Sequence, residues 1–213
     1  MKNNIDYILD NNPEFNYYLY DDIECRQFIL DNFNQDVVDA FDLLVPGAYK
    51  ADLWRYCILY KKGGIYMDIK LKPVIKLKSL LEKNNFYYVS DTPSLLNCNN
   101  YKGIYNALLI SYPNNIIFKL CIDEIVKNCN ALYYGNSTLD ITGPCLLGNI
   151  VYKYYDYNYD NIIKLYLKND NAIYDKNQKI MDVYKEYRNE QKKFGTPHYS
   201  ELWYNKKIYN IKV

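Results

Sequence analysis

Between Ala51 and Lys70 (ADLWRYCILYKKGGIYMDIK) two carboxylates and a guanidinium, Asp52, Asp68 and Arg55, stand among mainly apolar and aromatic neighbours. On a helical wheel Asp52 and Arg55 share a face with Tyr56 and Leu59, while Leu53, Cys57 and Tyr60 form a second face and Trp54 and Ile58 a third. A helix apolar on nearly every side is a buried one. An unpaired charge there is costly, so the two charged side chains must meet each other or something polar. Two readings are open: an internal Asp52–Arg55 ion pair, or the floor of a polar site. Asp68 favours the second. Gly63-Gly64 followed by Ile65–Met67 reads as a turn and a short buried strand that ends on a carboxylate. Ligands of open α/β sheets bind at that carboxyl edge. A guanidinium fork beside carboxylates suits phosphate oxygens or vicinal hydroxyls.

The elements that must position these residues can be read from periodicity and punctuation. Residues 3–10 predict a helix, and Phe15–Tyr20 (FNYYLY) a strand. Asp22 to about Phe33 predicts a helix with Asp21 as its N-cap, and Val37–Leu44 another. Pro46-Gly47 interrupts before a helix from about Ala48 to Lys62, closed by two cations and two glycines. Phe86–Ser90, Ile104–Ser111 and Ile162–Lys168 read as strands. Asn115–Asn130 and the segment from Thr142-Gly143-Pro144 to Tyr155 read as helices, with the Thr-Gly-Pro run either a helix cap or a facing of the site. The remainder reads as irregular. Alternation of this kind predicts one α/β domain over residues 1–213, with helices flanking a mostly parallel sheet.

Composition narrows the function. The formal net charge is +1 with acids and bases interspersed, so no overall field attracts nucleic acid, and no nucleic-acid partner is expected. The 27 tyrosines accompany abundant Asn, Ile and Lys, a pattern expected from an AT-rich genome or a large DNA virus. Six cysteines show no C-x-x-C pair or zinc spacing, which predicts reduced thiols and a cytoplasmic location, in the host cytoplasm or a viral factory if the source is viral. No run approaches the roughly 20 apolar residues of a membrane span.

The run Ala51-Asp52-x-x-Arg55-Tyr56-x-x-Leu59-Tyr60-x-x-Gly63-Gly64-x-Tyr66-x-Asp68 resembles the DXD-containing sugar-binding region of a retaining glycosyltransferase family. That family includes yeast-type initiating α-1,6-mannosyltransferases, and the glucosylating toxins carry a related core. Weaker likeness extends through Asn11–Asp22, Ala40–Ala48, Thr142-Gly143-Pro144 and His198–Trp203 (HYSELW). The resemblance implies a GT-A-like, Rossmann-like fold and transfer of a sugar from a UDP- or GDP-linked donor to a hydroxyl of a glycan, glycoprotein or glycolipid. It implies that Asp52 contacts donor-sugar hydroxyls, that Arg55 reaches sugar and diphosphate, and that Asp68 contacts ribose or sugar and supports Mn2+ or Mg2+. Gly64, Tyr66, Lys70, Asn106 and Trp203 follow as donor-site positions, with Asn106 near the acceptor. His198, the lone histidine, is either an incidental hydrogen-bonded residue or, by the resemblance, a second metal ligand beside Asp68.

The sequence departs from the family pattern at three places. The chain begins after the family's usual first strand, so that strand is expected to be absent. The C-terminal run lacks the family's Gly-Ser-Trp-like form. Lys70 occupies the position where the family has its metal-ligating carboxylate. Either Lys70 neutralises the diphosphate itself, or it turns to solvent while Asp68, diphosphate, water and a C-terminal ligand hold the metal; weakened metal use is the expectation. The alternative to an active transferase is a non-catalytic descendant that binds nucleotide sugars or glycans, or serves as a subunit.

Overall fold

Asp21 starts the first long helix by the means its sequence suggests. Its carboxylate accepts the N–H groups of Ile23 and Glu24 at 2.9 Å, and Glu24 reaches back to the Asp21 N–H. In this computed structural model, which describes residues 1–81, 88–91, 98, 103–155, 163–193 and 195–211, four helices come first. They are α1 (Lys2–Asn11), α2 (Asp22–Asn32), α3 (Gln35–Leu43) and α4 (Gly47–Lys62). Helix α4 ends on Gly63, whose φ of 65° lies in the left-handed region. A Cβ on Gly63 would stand 2.7 Å from the Pro113 ring and 2.9 Å from the Ser111 carbonyl, so no larger residue fits this turn.

Strand β1 (Gly64–Met67) follows and pairs antiparallel with β5 (Leu108–Ser111). It is half-buried rather than buried. A separate six-stranded sheet has the order β2-β8-β7-β6-β3-β4. Its strands are β2 (Leu71–Pro73), β3 (Tyr88–Ser90), β4 (Ile104–Tyr105), β6 (Ile163–Leu167), β7 (Ile173–Asp175) and β8 (Gln178–Val183). Helices α5 (Ile116–Asn130) and α6 (Pro144–Tyr154) lie between β5 and β6 in the chain, and α7 (Tyr187–Lys192) and α8 (Tyr199–Tyr204) follow the sheet.

The mixed α/β organisation with helices against a sheet is as expected, but the expected mostly parallel pairing is not found. Among the described strands only β3 and β6 pair in parallel; every other pair is antiparallel. Parallel pairing needs a long crossover, and here α5 and α6 lie within the one that joins β3 to β6. The chain from β6 to β8 instead turns back through short connections, with Asn171 and Lys176 at positive φ, where an irregular tail was expected. Residues 15–20 form no strand either. Their aromatics are used for packing: the Tyr20 ring lies 4.8 Å from that of Trp54 on α4. Phe86, Tyr87 and Ile162, the first residues of two expected strands, lie outside the described residues.

The predicted strand 104–111 is split in two, since Ile104–Tyr105 joins the large sheet while Leu108–Ser111 joins β1. The break falls at Asn106-Ala107. The main core packs α2 to α6 together, with Leu53, Tyr56 and Cys57 of α4 against Phe118, Cys121 and Ile122 of α5. A second core lies between β5 and the large sheet. Among the described residues no helix is long and apolar enough to cross a membrane.

The expectation of six reduced cysteines is corrected, because Cys98 and Cys145 form a disulfide across 47 residues of sequence. The fold brings them together, and no local spacing announces the pair. Structural disulfides persist mainly in oxidising compartments, so the bond removes the argument from cysteine spacing for a cytoplasmic location. The four free cysteines are all buried, and burial pushes the Cys25 and Cys129 thiols up to about 12. Thiolate is the reactive form. The native, unreduced protein at pH 8 is therefore expected to give almost no reaction with a thiol reagent. Unfolding without reductant should release four thiols, and reduction should release the remaining two. Six thiols on unfolding alone would show that the disulfide is not formed.

Candidate active site

The interior of α4 carries the first half of the site. Asp52 and Arg55 lie one turn apart, and Arg55 Nη1 is 2.9 Å from Asp52 Oδ1. The same Asp52 oxygen accepts the Asn106 side-chain amide at 2.8 Å, and Oδ2 accepts the Thr142 hydroxyl at 2.7 Å. Burial pushes the Asp52 carboxyl up, against the downward pull of Arg55 and these hydrogen bonds. Arg55 stays charged: burial works against the cation, and Tyr66, Asp52 and Asp68 around it more than compensate.

Arg55 also ties α4 to the end of β1. Its Nη1 donates to the Asn106 carbonyl at 3.0 Å and its Nη2 to Asp68 Oδ1 at 3.4 Å, while the guanidinium lies 4.8 Å over the Tyr66 ring. The Tyr66 hydroxyl donates to the same Asp68 oxygen at 3.1 Å. Lys70 Nζ takes the other, Oδ2, at 3.1 Å, and lies 5.3 Å from the Tyr105 ring centre. Burial would raise the Asp68 carboxyl, but Arg55 and Lys70 together hold it below its ordinary range. Burial would likewise lower Lys70, and Asp68 with Tyr105 outweighs it, so the ammonium is retained.

The result is a row of alternating charge, Asp52–Arg55–Asp68–Lys70, that runs from the interior outward. Side-chain exposure is 10% and 5% for the first pair and 23% and 27% for the second. The turn that carries the outer pair is held by its backbone from three remote segments. The Asp68 N–H donates to Ala107, the Tyr184 N–H donates to the Lys70 carbonyl, and the buried Asn4 amide donates to the carbonyls of Ile69 and Leu71.

Of the residues singled out by sequence, the structure brings together Asp52, Arg55, Tyr66, Asp68, Lys70 and Asn106. Gly64 starts β1, four residues before Asp68 and thus roughly 13 Å along an extended chain. It is exposed and has a φ of 96°. His198 is exposed and caps α8, with Nδ1 accepting the Ser200 N–H at 3.3 Å. Trp203 donates its indole N–H to the Tyr134 carbonyl at 2.6 Å, which anchors α8.

Sequence reasoning missed three contributors. Asn4 lies in a helix that no motif marks. Asp91 is buried at the end of β3, as Asp68 ends β1, and the same strand-end logic would have found it. Tyr199, in the His198–Trp203 run, is partly buried, and its ring lies 5.9 Å from that of Tyr49 on α4; burial, and after it the charge of Asp52, push its phenol up. Thr142 proves to be a direct partner of Asp52. Gly143, beside it, is where a Cβ would stand 3.4 Å from Asp52 Oδ2.

Residues 1–87 match the family described as glycosyltransferase sugar-binding region containing DXD motif. Inositol phosphoceramide mannosyltransferase 2 of Schizosaccharomyces pombe is 27% identical over 198 residues, covering 92% of this chain and 51% of that protein. The initiation-specific alpha-1,6-mannosyltransferase of Candida albicans is 38% identical over 85 residues, 36% of this chain and 22% of that protein. Among solved structures, the PaToxG glycosyltransferase aligns at 21% identity with a TM-score of 0.44, over 70% of this chain and 43% of that one. The matched residues 1–87 hold α4, the two glycines and the Asp68–Lys70 turn, so the likeness to that family falls on the part of the chain that builds this site. The chain spans about half the length of the first relative and less of the second.

A DXD motif implies a divalent cation, which the side chains around Asp68 would have to hold. Both Asp68 oxygens already face cations, and the neighbouring position offers an ammonium where a second carboxylate would stand. Among the described residues no group of three or more His, Cys, Asp or Glu side chains is arranged to hold a metal ion. A divalent cation about 4 Å from Lys70 would be repelled by roughly 8 kcal/mol at an effective dielectric of 20. The residues present do not fit Mn2+ or Mg2+ at Asp68.

Removing Arg55 would leave two carboxylates facing a buried space. Arg55→Met is therefore expected to cost about 3–5 kcal/mol of stability, read as a shift in the urea unfolding midpoint. An unchanged midpoint would show that the buried pair does not hold α4 to β1.

Proposed function

We propose that residues 1–213 act as one glycosyltransferase-like domain that transfers a sugar, with retention, from a UDP- or GDP-linked donor to a hydroxyl acceptor. The observation that carries this reading is the charge row at the end of β1, with its inner pair buried and its outer pair partly exposed. It occurs in the part of the chain that matches a sugar-binding family. Retention is carried by the family resemblance alone. Both relatives are named mannosyltransferases, which makes mannose the first sugar to test. One name specifies inositol phosphoceramide, so a glycolipid hydroxyl stands beside glycans and glycoproteins as the acceptor class.

The roles follow from what each side chain still has to offer. An ionised carboxylate has about four acceptor sites, and Asp52 has engaged three, with Arg55, Asn106 and Thr142. The remaining site on Oδ2, beside Gly143, is the one we assign to a donor-sugar hydroxyl. Arg55 is too enclosed to follow the leaving group; it positions both carboxylates and pulls both down against the upward push of burial. Lys70, at the rim, opposes the charge that develops on the diphosphate as its bond to the anomeric carbon breaks. Asn106, bonded to Asp52, completes the wall. No step is routed through a metal.

A second reading, a nucleotide-sugar-binding module without transfer, is favoured by Lys70 standing where the family has a carboxylate. Turnover separates the two. UDP- and GDP-sugars are incubated with the protein, and sugar release to water or to acceptor hydroxyls is followed. Transfer is expected for at least one donor, and Asp68→Asn should lower it by about 100-fold or more. Tight binding of a donor with no turnover for any of them would leave only the binding module.

Gly143→Ala should weaken donor binding by crowding Asp52 Oδ2, while the protein keeps a cooperative unfolding transition. Unaltered donor affinity in this variant would remove Asp52 Oδ2 from the donor site.

A further inference from the structure

The four charges of the row sum to zero as the chain stands. With a carboxylate at position 70 they would sum to two negative units, the amount a divalent cation cancels. Lys70 thus brings the site to the neutrality that a DXD pair reaches only with its metal. The geometry supports the same exchange. The ammonium has three protons; one faces Asp68 Oδ2 at 3.1 Å, and Nζ lies 5.3 Å from the Tyr105 ring centre. The protons that do not face Asp68 can serve an anion, on a side chain that keeps 27% of its surface exposed.

The position of that ammonium does not depend on a ligand to order it. Asn4, Ala107 and Tyr184 hold the backbone on both sides of Lys70, and Asp68, held by Arg55 and Tyr66, holds the side chain. The charge lies on the outer end of the row, where a donor diphosphate must approach.

We propose that Lys70 replaces the divalent cation, so that a nucleoside diphosphate or its sugar ester binds here against the ammonium, without Mn2+ or Mg2+. The inference rests on the reading of this site as a nucleotide-sugar site, and one titration separates the two. Binding of UDP, GDP and their mannose and glucose esters is measured by calorimetry, once in excess EDTA and once in Mn2+. The expected result is binding in EDTA with an affinity within about threefold of that in Mn2+. Binding that requires Mn2+ would overturn the metal-free inference and leave the nucleotide-sugar reading standing. No binding in either condition would overturn both.

The lysine itself is tested by three variants, each first checked for a cooperative thermal transition. Lys70→Met should lose about tenfold or more in EDTA affinity, and Lys70→Arg should retain metal-free binding. Lys70→Asp should bind only when Mn2+ is added. If Lys70→Met fails to fold, Lys70→Arg and Lys70→Asp still decide the matter, through binding with and without the cation. Full EDTA affinity in Lys70→Met, or in Lys70→Asp, would show that the ammonium does not carry the diphosphate.

Discussion

The arrangement of the whole N-terminal half follows from one buried guanidinium. Arg55 is enclosed by α4, the end of β1 and the break between β4 and β5, with two carboxylates and a carbonyl around it. Removing a charge from water costs several kcal/mol, recovered only where the partners are close and their own lone pairs are satisfied. That condition reaches outward from Arg55. Asp52 must be bonded by Asn106 and Thr142, which places the β4–β5 break and the start of α6 against α4. Asp68 must be bonded by Tyr66, which fixes the last turn of β1. Helices and strands far apart in sequence are thus drawn to one point by the need to satisfy a single cation.

From that point the polarity is graded. The inner pair is buried and most of its hydrogen bonds are made within the fold, so it supplies position and field and leaves one Asp52 site for a ligand. The outer pair, Asp68 and Lys70, keeps about a quarter of its side-chain surface exposed and is the part that meets solvent. Its backbone is held by groups from α1, from the β4–β5 break and from the end of β8. A short turn at the end of a two-stranded ribbon would otherwise be loosely placed, since such ribbons are marginal by themselves. Rigidity at the rim therefore comes from remote contacts, and Asn4 is as much a part of the site as the residues that face the ligand.

Local sequence made α4, its glycine stop, β1 and the strand-end carboxylate legible, because each depends on neighbours within one turn or one strand. Gly63 could be read as a helix end because cations and a second glycine adjoin it. What escaped was set by distant partners. The apolar run 104–111 reads as one strand, yet it is broken at Asn106 because the amide and carbonyl there are needed by Asp52 and Arg55. The turns of the β6–β8 meander use Asn171 and Lys176 at positive φ rather than an Asn-Gly or Asp-Gly pair, so periodicity gave no boundary. Phe15–Tyr20 has strand composition, but its Tyr20 ring packs on Trp54, and such propensity reports packing as much as pairing. The Cys98–Cys145 pair and the anchoring of Trp203 on Tyr134 depend on tertiary approach alone.

Lys70 shows why a motif position is better read as a charge than as a letter. Two carboxylates at positions 68 and 70 would repel each other in the empty protein, and a cation would be needed to bring the turn to its working form. Binding of metal and ordering of the site would then be one event. With an ammonium at position 70, attraction replaces repulsion, and Asp68 becomes a counter-ion for two cations instead of a ligand awaiting one. The turn is in place before any ligand arrives, so less ordering remains to oppose binding. The same exchange moves the positive charge from a mobile ion onto a tethered side chain that cannot leave with the product. Release of a nucleoside diphosphate from such a site must break its contact with the protein itself, rather than carry a cation away with it.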